Sequence, residues 1–273
     1  MDLEKLRNDY LKQGYTMANA LAKICRDIIL SKISKSSLNR NITIKGGIVM
    51  HNISGNMRRA TRDLDIDFIR YSLHDESIKE FIFKLNDVND GIKINLEGKI
   101  IELHHQDYQG KRVNIKITDK NNFSIYTKLD IGVHKQFDII QDEYCFNLNS
   151  INESVTLFIN SCEQIIVEKL KSLLKFGIIS TRFKDIFDFY YLINHTKIKK
   201  DELLNILNIL ILSDNSMRQN TIDDIIKDLK IILHDRRYRR NLDDVNNNWL
   251  ELPIQLVIDS VLNFFKSLKI VSV

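Results

Sequence analysis

Residues 41–70, NITIKGGIVMHNISGNMRRATRDLDIDFIR, decide how this chain folds. The stretch reads as a short apolar strand, a Gly-Gly pair, one or two helical turns and a second strand that carries three aspartates. Side chains alternate between the two faces of a strand. We therefore expect Asp63, Asp65 and Asp67 to share one face, while the apolar residues between them fill the other. One face of the predicted strand is acidic and the opposite face belongs to the core.

The acidic face predicts a metal site. Carboxylates on one strand face repel one another unless cations lie between them, and carboxylate oxygens with water and substrate phosphates are the usual ligands of Mg²⁺. The pair Gly46-Gly47 precedes these acids, and the absence of a Cβ lets a phosphate group approach the backbone closely. Both features could hold one polyphosphate. The residues alone leave open which of Asp63, Asp65 and Asp67 form the metal-binding pair.

A further acid lies on a later predicted strand. Between about residues 93 and 134, apolar and polar residues alternate, with turn residues between the runs, which predicts strands that continue the same sheet. The last of these runs contains K-L-D-I-G. Asp130 lies there between Leu129 and Ile131, so its side chain is expected to project away from the core face.

The histidines are weaker candidates for a site. His104 and His105 are neighbours in a predicted strand and point to opposite faces, so they are not expected to share a metal ion. His51, on the helix after the glycines, and His134, just past the last acidic strand, are retained as candidate nucleotide or substrate contacts.

From about residue 155 the pattern becomes helical. CEQIIVEKLKSLLKFG and TRFKDIFDFYYLINH predict two helices with charged residues in their first turns. Three further helices are predicted over 200–212, 221–234 and 253–269. Between the last two lies RRYRR at 236–240, where arginines flank Tyr238. Such a charge run is more typical of a solvated or antitoxin-facing surface; the alternative interpretation is that the arginines bind RNA phosphates and a base stacks on the tyrosine ring.

At these motifs the chain resembles a known group. K-G-G-I-V-M followed by R-A-T-R-D-L-D-I-D-F is similar to the first motif of the nucleotidyltransferase superfamily, and specifically of the AbiEii-type toxins of bacterial toxin–antitoxin and phage-abortive-infection systems. E-K-L at 168–170 and R-x-K-D-x-x-D at 182–188 are similar to that family's second conserved region. The motifs cover about residues 40–190.

The resemblance implies the fold of the first part of the chain, and the change to a helical pattern at about residue 155 predicts a division into two domains. We expect an α/β (α+β) domain over 1–153, in which a nucleotidyltransferase-like mixed sheet is flanked by helices. An α-helical domain over 154–273 is expected to follow it and to contribute basic residues to the cleft.

The resemblance also implies roles for individual residues. The implied catalytic residues are Asp63, Asp65, Asp130, Lys169 and Asp185. The implied metal ligands are Asp63, Asp65 and Asp130, which would hold two Mg²⁺ ions. The implied nucleotide-binding residues are Gly46, Gly47, Arg59, Thr61, Lys169, Arg182 and Lys184. One position departs from the family pattern, because Ile48 stands where many relatives have a serine or threonine that could bind phosphate.

For function, the resemblance implies Mg²⁺-dependent transfer of a nucleoside monophosphate from an NTP to RNA, with the tRNA 3′ end as acceptor, and toxicity through blocked translation. A cognate antitoxin encoded nearby is the expected partner. Two alternatives stay open. A small acceptor such as an antibiotic predicts a compact acidic pocket for the acceptor, and a non-catalytic nucleotide-binding protein predicts binding that is indifferent to Mg²⁺.

Composition sets the remaining bounds. The chain has 273 residues, 44% hydrophobic and 28% charged, with a net charge of +4, which is ordinary for a globular protein and compatible with a nucleic-acid partner. Three cysteines lie far apart, so neither a disulfide framework nor a zinc ribbon is indicated. The N-terminus lacks an apolar signal core, and the most apolar run, 203–212, is short. We expect a cytoplasmic protein without a membrane partner.

Overall fold

The computed structural model describes residues 1–59, 61–103, 110–136 and 138–268. The chain divides into two compact units, Met1–Asn160 and Ser161–Val273. Within the described ranges the first unit contains a seven-stranded sheet with four α-helices, and the second contains six α-helices. A mixed sheet flanked by helices and followed by a helical half confirms the predicted fold class.

The first unit begins with two helices that precede the sheet. Its helices are α1 (Leu3–Lys12), α2 (Met17–Lys35), α3 (Gly47–Ser54) and α4 (Asp75–Leu85). Its strands are β1 (Ile42–Lys45), β2 (Leu64–Ile69), β3 (Lys93–Leu103), β4 (Gly110–Thr118), β5 (Ser124–His134), β6 (Asp142–Leu148) and β7 (Glu153–Ile159). The strand order is β3-β4-β5-β2-β1-β7-β6. β2 runs parallel to β5 and β1 runs parallel to β7, while the other pairs are antiparallel.

The alternation in β2 produces the expected core face. Leu64, Ile66 and Phe68 are at most 3% exposed. The Phe68 ring contacts the Phe81 ring of α4 edge-on, with centroids 5.3 Å apart. The apolar face of β2 is therefore covered, at least in part, by α4, and the aspartates of β2 project from the other face.

The end of the first unit depends on β7. The sequence placed the division at 153/154, but the residues that follow Glu153 form a strand whose inward side chains are buried, including Leu157 and Ile159. β7 pairs with β1 through Ile44↔Ile159, so it belongs to the sheet. The chain divides after Asn160, whose backbone N–H contacts the carbonyl of Ile44 at 3.4 Å.

In the described residues of the second unit, the regular secondary structure consists of helices joined by loops. Its helices are α5 (Cys162–Phe176), α6 (Lys184–His195), α7 (Lys200–Leu207), α8 (Ile222–His234), α9 (Arg236–Leu242) and α10 (Ile254–Ser267). Ser161 caps α5 by accepting a hydrogen bond from the N–H of Gln164, and Gly177 ends α5 at φ 58°. The ring of Phe189 in α6 contacts that of Phe265 in α10, with centroids 6.4 Å apart.

A search of the described helices for one long and apolar enough to cross a bilayer found none.

Candidate active site

The acids of the two central strands lie in one row across the sheet. The register pairs Lys45 of β1 with Asp65 of β2, Asp65 with Asp130 of β5, and Asp130 with Arg112 of β4. Residues that are directly paired across strands share a face and lie about 5 Å apart. The row therefore reads cation, acid, acid, cation, and it brings together two acids that are far apart in the sequence.

Asp65 is held in an environment that opposes its charge. Its side chain is partly buried, and burial, together with the nearby carboxylates of Asp130, Asp63 and Asp67, raises its pKa from 3.8 to about 6. Burial is the largest cause, and the positive charge of Lys45 offsets part of it. Among the described residues no ion pair involves Asp65.

Asp130 and Asp63, the two other predicted metal ligands, do have counter-ions. Arg112 grips Asp130 in a bidentate pair, with Nε to Oδ1 and Nη2 to Oδ2 both at 2.7 Å. Lys128 Nζ lies 2.9 Å from Oδ1 of Asp63, which directly precedes β2 and whose side chain is half exposed. Two of the predicted metal ligands are therefore neutralised by basic side chains of β4 and β5.

Asp67 occupies a different position from the other acids. It is 5% exposed, and its Oδ1 lies 2.6 Å from Lys45 Nζ. The sheet register places it beside Thr43 on β1 and Gly132 on β5. Asp65, and not Asp67, is thus the acid of β2 that faces Asp130.

The glycine pair lies against this acidic row. Gly46 precedes α3 at φ 72°, and a Cβ added there would lie 2.3 Å from Asp65 Oδ2. A Cβ on Gly47 would lie 2.9 Å from the Cβ of Thr61 and 3.1 Å from Nη1 of Arg59. The glycines therefore allow the backbone to approach both the Asp65 carboxylate and two of the predicted nucleotide-binding side chains.

The departure from the family pattern has a structural explanation. Ile48 is 2% exposed and, like Val49 and Met50, is buried in the first half of α3. The Ile48 side chain packs in the core, so this position offers no hydroxyl group that could bind phosphate.

The donor set suits a hard divalent cation. Asp63, Asp65 and Asp130 offer carboxylate oxygens, which Mg²⁺ prefers, and Asp65 has an unfavourably placed charge that a cation would stabilise. Nonetheless, no group of three His, Cys, Asp or Glu within the described ranges is already arranged to hold a metal ion. The salt bridges of Asp63 and Asp130 are consistent with this, since they direct those carboxylates toward basic side chains.

The second unit contains its own charged cluster. Lys169 on α5 forms salt bridges with Asp185 and, at 2.9 Å, with Oδ2 of Asp188, both on α6. Trp249 Nε1 donates to Oδ1 of Asp188 at 3.1 Å. The Lys169 side chain is 11% exposed and that of Asp188 is fully buried. The structure thus brings Lys169 and Asp185 together, and it adds Trp249, which the sequence did not single out.

The remaining predicted residues of the second unit lie at the start of α6. Arg182 is exposed and precedes the helix, and Lys184, its first residue, is partly exposed. Their side chains are therefore accessible to solvent, unlike that of Lys169.

The histidines contact nearby backbone. His51 Nδ1 lies 3.2 Å from a carbonyl oxygen just beyond α3, and burial, followed by the charge of Arg26, lowers its pKa. His134 is 5% exposed, with Nε2 at 3.1 Å from a carbonyl oxygen of the loop after β5. Both histidines therefore contact the backbone of the fold, and their roles as nucleotide or substrate contacts stay predictions. His104 and His105 lie outside the described residues.

The predicted base-stacking role of Tyr238 is wrong. Its side chain is fully buried on the inner face of α9, and its ring packs on Phe183 with centroids 5.1 Å apart. The arginines around it divide by face: Arg239 donates to Gln255 at 2.9 Å, while Arg236, Arg237 and Arg240 are exposed. The outer surface of α9 is therefore basic, and it presents no tyrosine ring on which a base could stack.

Comparison with known proteins places this arrangement in context. A family model described as "Nucleotidyl transferase AbiEii toxin, Type IV TA system" matches residues 28–251. The matched range includes the acidic row of the sheet, the glycine pair and the charged cluster of α5 and α6. A search of curated proteins found no similar sequence.

Proposed function

Because the chain belongs to the AbiEii family of nucleotidyl transferase toxins of type IV toxin–antitoxin systems, we propose that it transfers a nucleoside monophosphate from an NTP to the 3′ end of tRNA and thereby blocks translation. Family membership gives the reaction class, the NTP substrate and an antitoxin partner. The acceptor and the metal dependence are the proposed parts. The observation that supports the metal dependence best is the pairing of Asp65 with Asp130 beside the glycine turn.

In this proposal Asp63, Asp65 and Asp130 would hold Mg²⁺, which supplies charge stabilisation for the attacking and leaving oxygens. Asp65 binds the cation in its ionised form, which dominates above its pKa of about 6. Asp130 would also accept the proton of the attacking hydroxyl group. Its place directly beside Asp65 supports both roles.

The glycine turn would bind the phosphates. Gly46 and Gly47 open α3, so the free N–H groups of its first turn and its positive end favour an anion there. Arg59 and Thr61 lie against Gly47 and would add a positive charge and a hydroxyl donor. Thr61 would thus supply the hydroxyl that Ile48 does not.

Residues of the second unit would act on the leaving group. Lys169, with Arg182 or Lys184, would neutralise the charge that develops on pyrophosphate. Asp185 and Asp188 hold the Lys169 ammonium in place through two salt bridges. A lysine fixed in this way loses little side-chain entropy when it meets a phosphate.

An exposed basic surface supports RNA as the acceptor. It consists of Lys227, Lys230, Arg236, Arg237 and Arg240 of α8 and α9, all exposed. Clustered cations bind the phosphate backbone without reading sequence, and such binding weakens steeply with salt. If the acceptor were a small molecule, this surface would have no role in binding it.

The test is transfer of label. The purified chain is incubated with Mg²⁺, each α-labelled NTP in turn, and either total tRNA or aminoglycoside acceptors. Wild type should label tRNA, and Asp65→Ala should abolish labelling, while Asp142→Ala, at an exposed acid of β6, should label normally. Label on the small acceptor would favour the antibiotic alternative. Mg²⁺-independent nucleotide binding without any transfer would favour the non-catalytic alternative.

A further inference from the structure

Three basic side chains are paired with the acids of the candidate site. Lys45 pairs with Asp67, and the other two pairs are Arg112 with Asp130 and Lys128 with Asp63. A divalent ion held by Asp63 and Asp130 would compete with Arg112 and Lys128 for the same oxygens. The carboxylates of Asp63 and Asp130 are therefore already bound by basic side chains of the same sheet.

We propose that Arg112 and Lys128 are exchangeable counter-ions, which leave Asp130 and Asp63 when the metal binds and become ligands of the nucleotide phosphates. This inference rests on the proposed function, because it assumes that the acids bind a metal with an NTP. It assigns to the chain two phosphate-binding residues on β4 and β5 that the sequence motifs do not include.

The exposure of the three cations separates the exchangeable ones from the fixed one. The side chain of Lys45 is 10% exposed and its partner Asp67 is 7% exposed, so this pair is part of the interior. The side chain of Arg112 is 31% exposed and that of Lys128 is 41% exposed. Long side chains with solvent at their heads can turn outward without unpacking the sheet.

Charge explains why the released side chains would move to phosphate. An arginine keeps its proton under all ordinary conditions, so Arg112 must take its positive charge elsewhere when a metal displaces it. The anion that arrives with the metal is the triphosphate. The planar guanidinium that now binds Asp130 in a bidentate pair can bind two phosphate oxygens in the same way.

The first test measures metal binding to the full chain without nucleotide. Mn²⁺ is titrated by electron paramagnetic resonance into wild type, Arg112→Met and Lys128→Met. Removal of the competing cation should lower the Kd for Mn²⁺ by roughly threefold to tenfold in each variant. Lys116→Met is the matched control: it removes a lysine from the same face of β4, where the ammonium lies 5.9 Å from the Tyr126 ring centroid, and should bind as wild type does.

The second test measures the opposite effect on nucleotide. In saturating Mn²⁺, binding of an α,β-methylene NTP analogue should weaken by about fivefold to tenfold in Arg112→Met and Lys128→Met, because the released cation is missing. Tighter metal binding with weaker nucleotide binding distinguishes exchange from a structural role, since misfolding would weaken both. Lys128→Met should fold normally, because a half-exposed ion pair contributes little to stability.

Unchanged or weaker Mn²⁺ binding in both variants, or nucleotide binding equal to wild type, would overturn the exchange. The proposed function fails separately: in that case wild type would not bind Mn²⁺, or Asp65→Ala would bind it equally well. A wild type that binds Mn²⁺ through Asp65, with Arg112→Met indistinguishable from it, contradicts only the exchange.

Discussion

At the scale of single residues, Asp65 differs from its neighbours because its charge is unfavourable in the metal-free fold. Burial and three nearby carboxylates raise its pKa to about 6, so the folded state binds this proton more tightly than the unfolded chain does. The group therefore favours folding most at low pH, and that contribution is lost as pH rises through the folded-state pKa. A cation bound beside Asp65, as proposed above, would offset this unfavourable charge and so stabilise the folded chain.

Asp65→Asn tests this directly. With EDTA present, the substitution should raise the free energy of unfolding at pH 8 by about 2 kcal/mol, because it removes a buried charge that the fold disfavours. The gain should shrink as pH falls from 6 toward 4, because wild-type Asp65 becomes protonated in the folded state, and it should vanish below the unfolded-state pKa of 3.8. Urea denaturation at pH 8, 6 and 4 measures it, with Asp142→Asn as the exposed control. Equal gains at all three pH values would contradict the assigned cause.

Gly46→Ala tests the close approach of backbone and carboxylate. Gly46 has φ 72° and ψ −149°, a region that is almost restricted to glycine, and its added Cβ would lie 2.3 Å from Asp65 Oδ2. Gly177 has a similar backbone, with φ 58° and ψ −137°, but open space around it. We expect Gly177→Ala to cost about 1–2 kcal/mol and Gly46→Ala about 1 kcal/mol more.

The excess should depend on Asp65. In an Asp65→Ala background the cost of Gly46→Ala should fall to that of Gly177→Ala, because the clashing carboxylate is gone. The double-mutant cycle consists of wild type, Gly46→Ala, Asp65→Ala and the double variant, and chemical denaturation of these four proteins measures it, with Gly177→Ala as the reference. An excess that persists without Asp65 would place the strain in the backbone alone.

At the scale of elements, α5 and α6 are joined by a buried ion cluster. Lys169→Met should destabilise the chain by about 3 kcal/mol, because it leaves Asp185 and Asp188 without their cation. The triple variant Lys169→Met/Asp185→Asn/Asp188→Asn should recover most of that loss, since no unpaired charge remains. Thermal unfolding followed by circular dichroism measures both. If Lys169→Met unfolds as wild type does, the cluster contributes nothing to stability.

The elements themselves could largely be predicted from sequence, whereas their pairing could not. Periodicity gave α4, α5 and the strands from 93 to 134, because it reflects burial along one segment. The row Lys45–Asp65–Asp130–Arg112 depends on the register between β1, β2, β5 and β4. Parallel pairing of β2 with β5 joins segments far apart in the chain, so no local pattern marks Asp130 as the partner of Asp65.

The burial of Tyr238 and the strand β7 both have local signals in the sequence. Tyr238 and Leu242 are spaced four residues apart and are both buried in α9, a helical pattern that predicts an inward tyrosine. In 153–159, ESVTLFI, apolar residues alternate from Val155 onward, which predicts the strand β7. The charged residues around Tyr238 and the onset of α5 soon after β7 make both patterns weak in the sequence.

At the scale of the whole molecule, the division after Asn160 separates the proposed metal-binding acids from Lys169, Arg182 and Lys184. The core of the first unit is built from its own strands and helices, as the contact of Phe68 with Phe81 illustrates. This unit is compact and has its own core, as an independent domain does. Metal binding and phosphoryl transfer should therefore be separable by truncation.

A fragment of residues 1–160 tests this separation. It retains all seven strands, so it should unfold cooperatively and bind Mn²⁺ in a manner that Asp65→Ala abolishes. It should not transfer label to tRNA, because the proposed phosphate-binding side chains of the second unit are absent. Calorimetry, Mn²⁺ titration and the labelling assay give the three readouts. If the fragment transfers label at the wild-type rate, Lys169, Arg182 and Lys184 are not needed for the reaction.

The matched control is residues 1–153, which end at the boundary expected from sequence. This fragment lacks β7, the strand that joins β6 to β1 in the sheet order. Without it β6 has no partner and the edge of β1 exposes the backbone groups that bonded Ile159 and its neighbours, so we expect aggregation or non-cooperative unfolding. Cooperative unfolding of 1–153 at the same temperature as 1–160 would mean that β7 is dispensable and that the domain ends where the sequence pattern placed it.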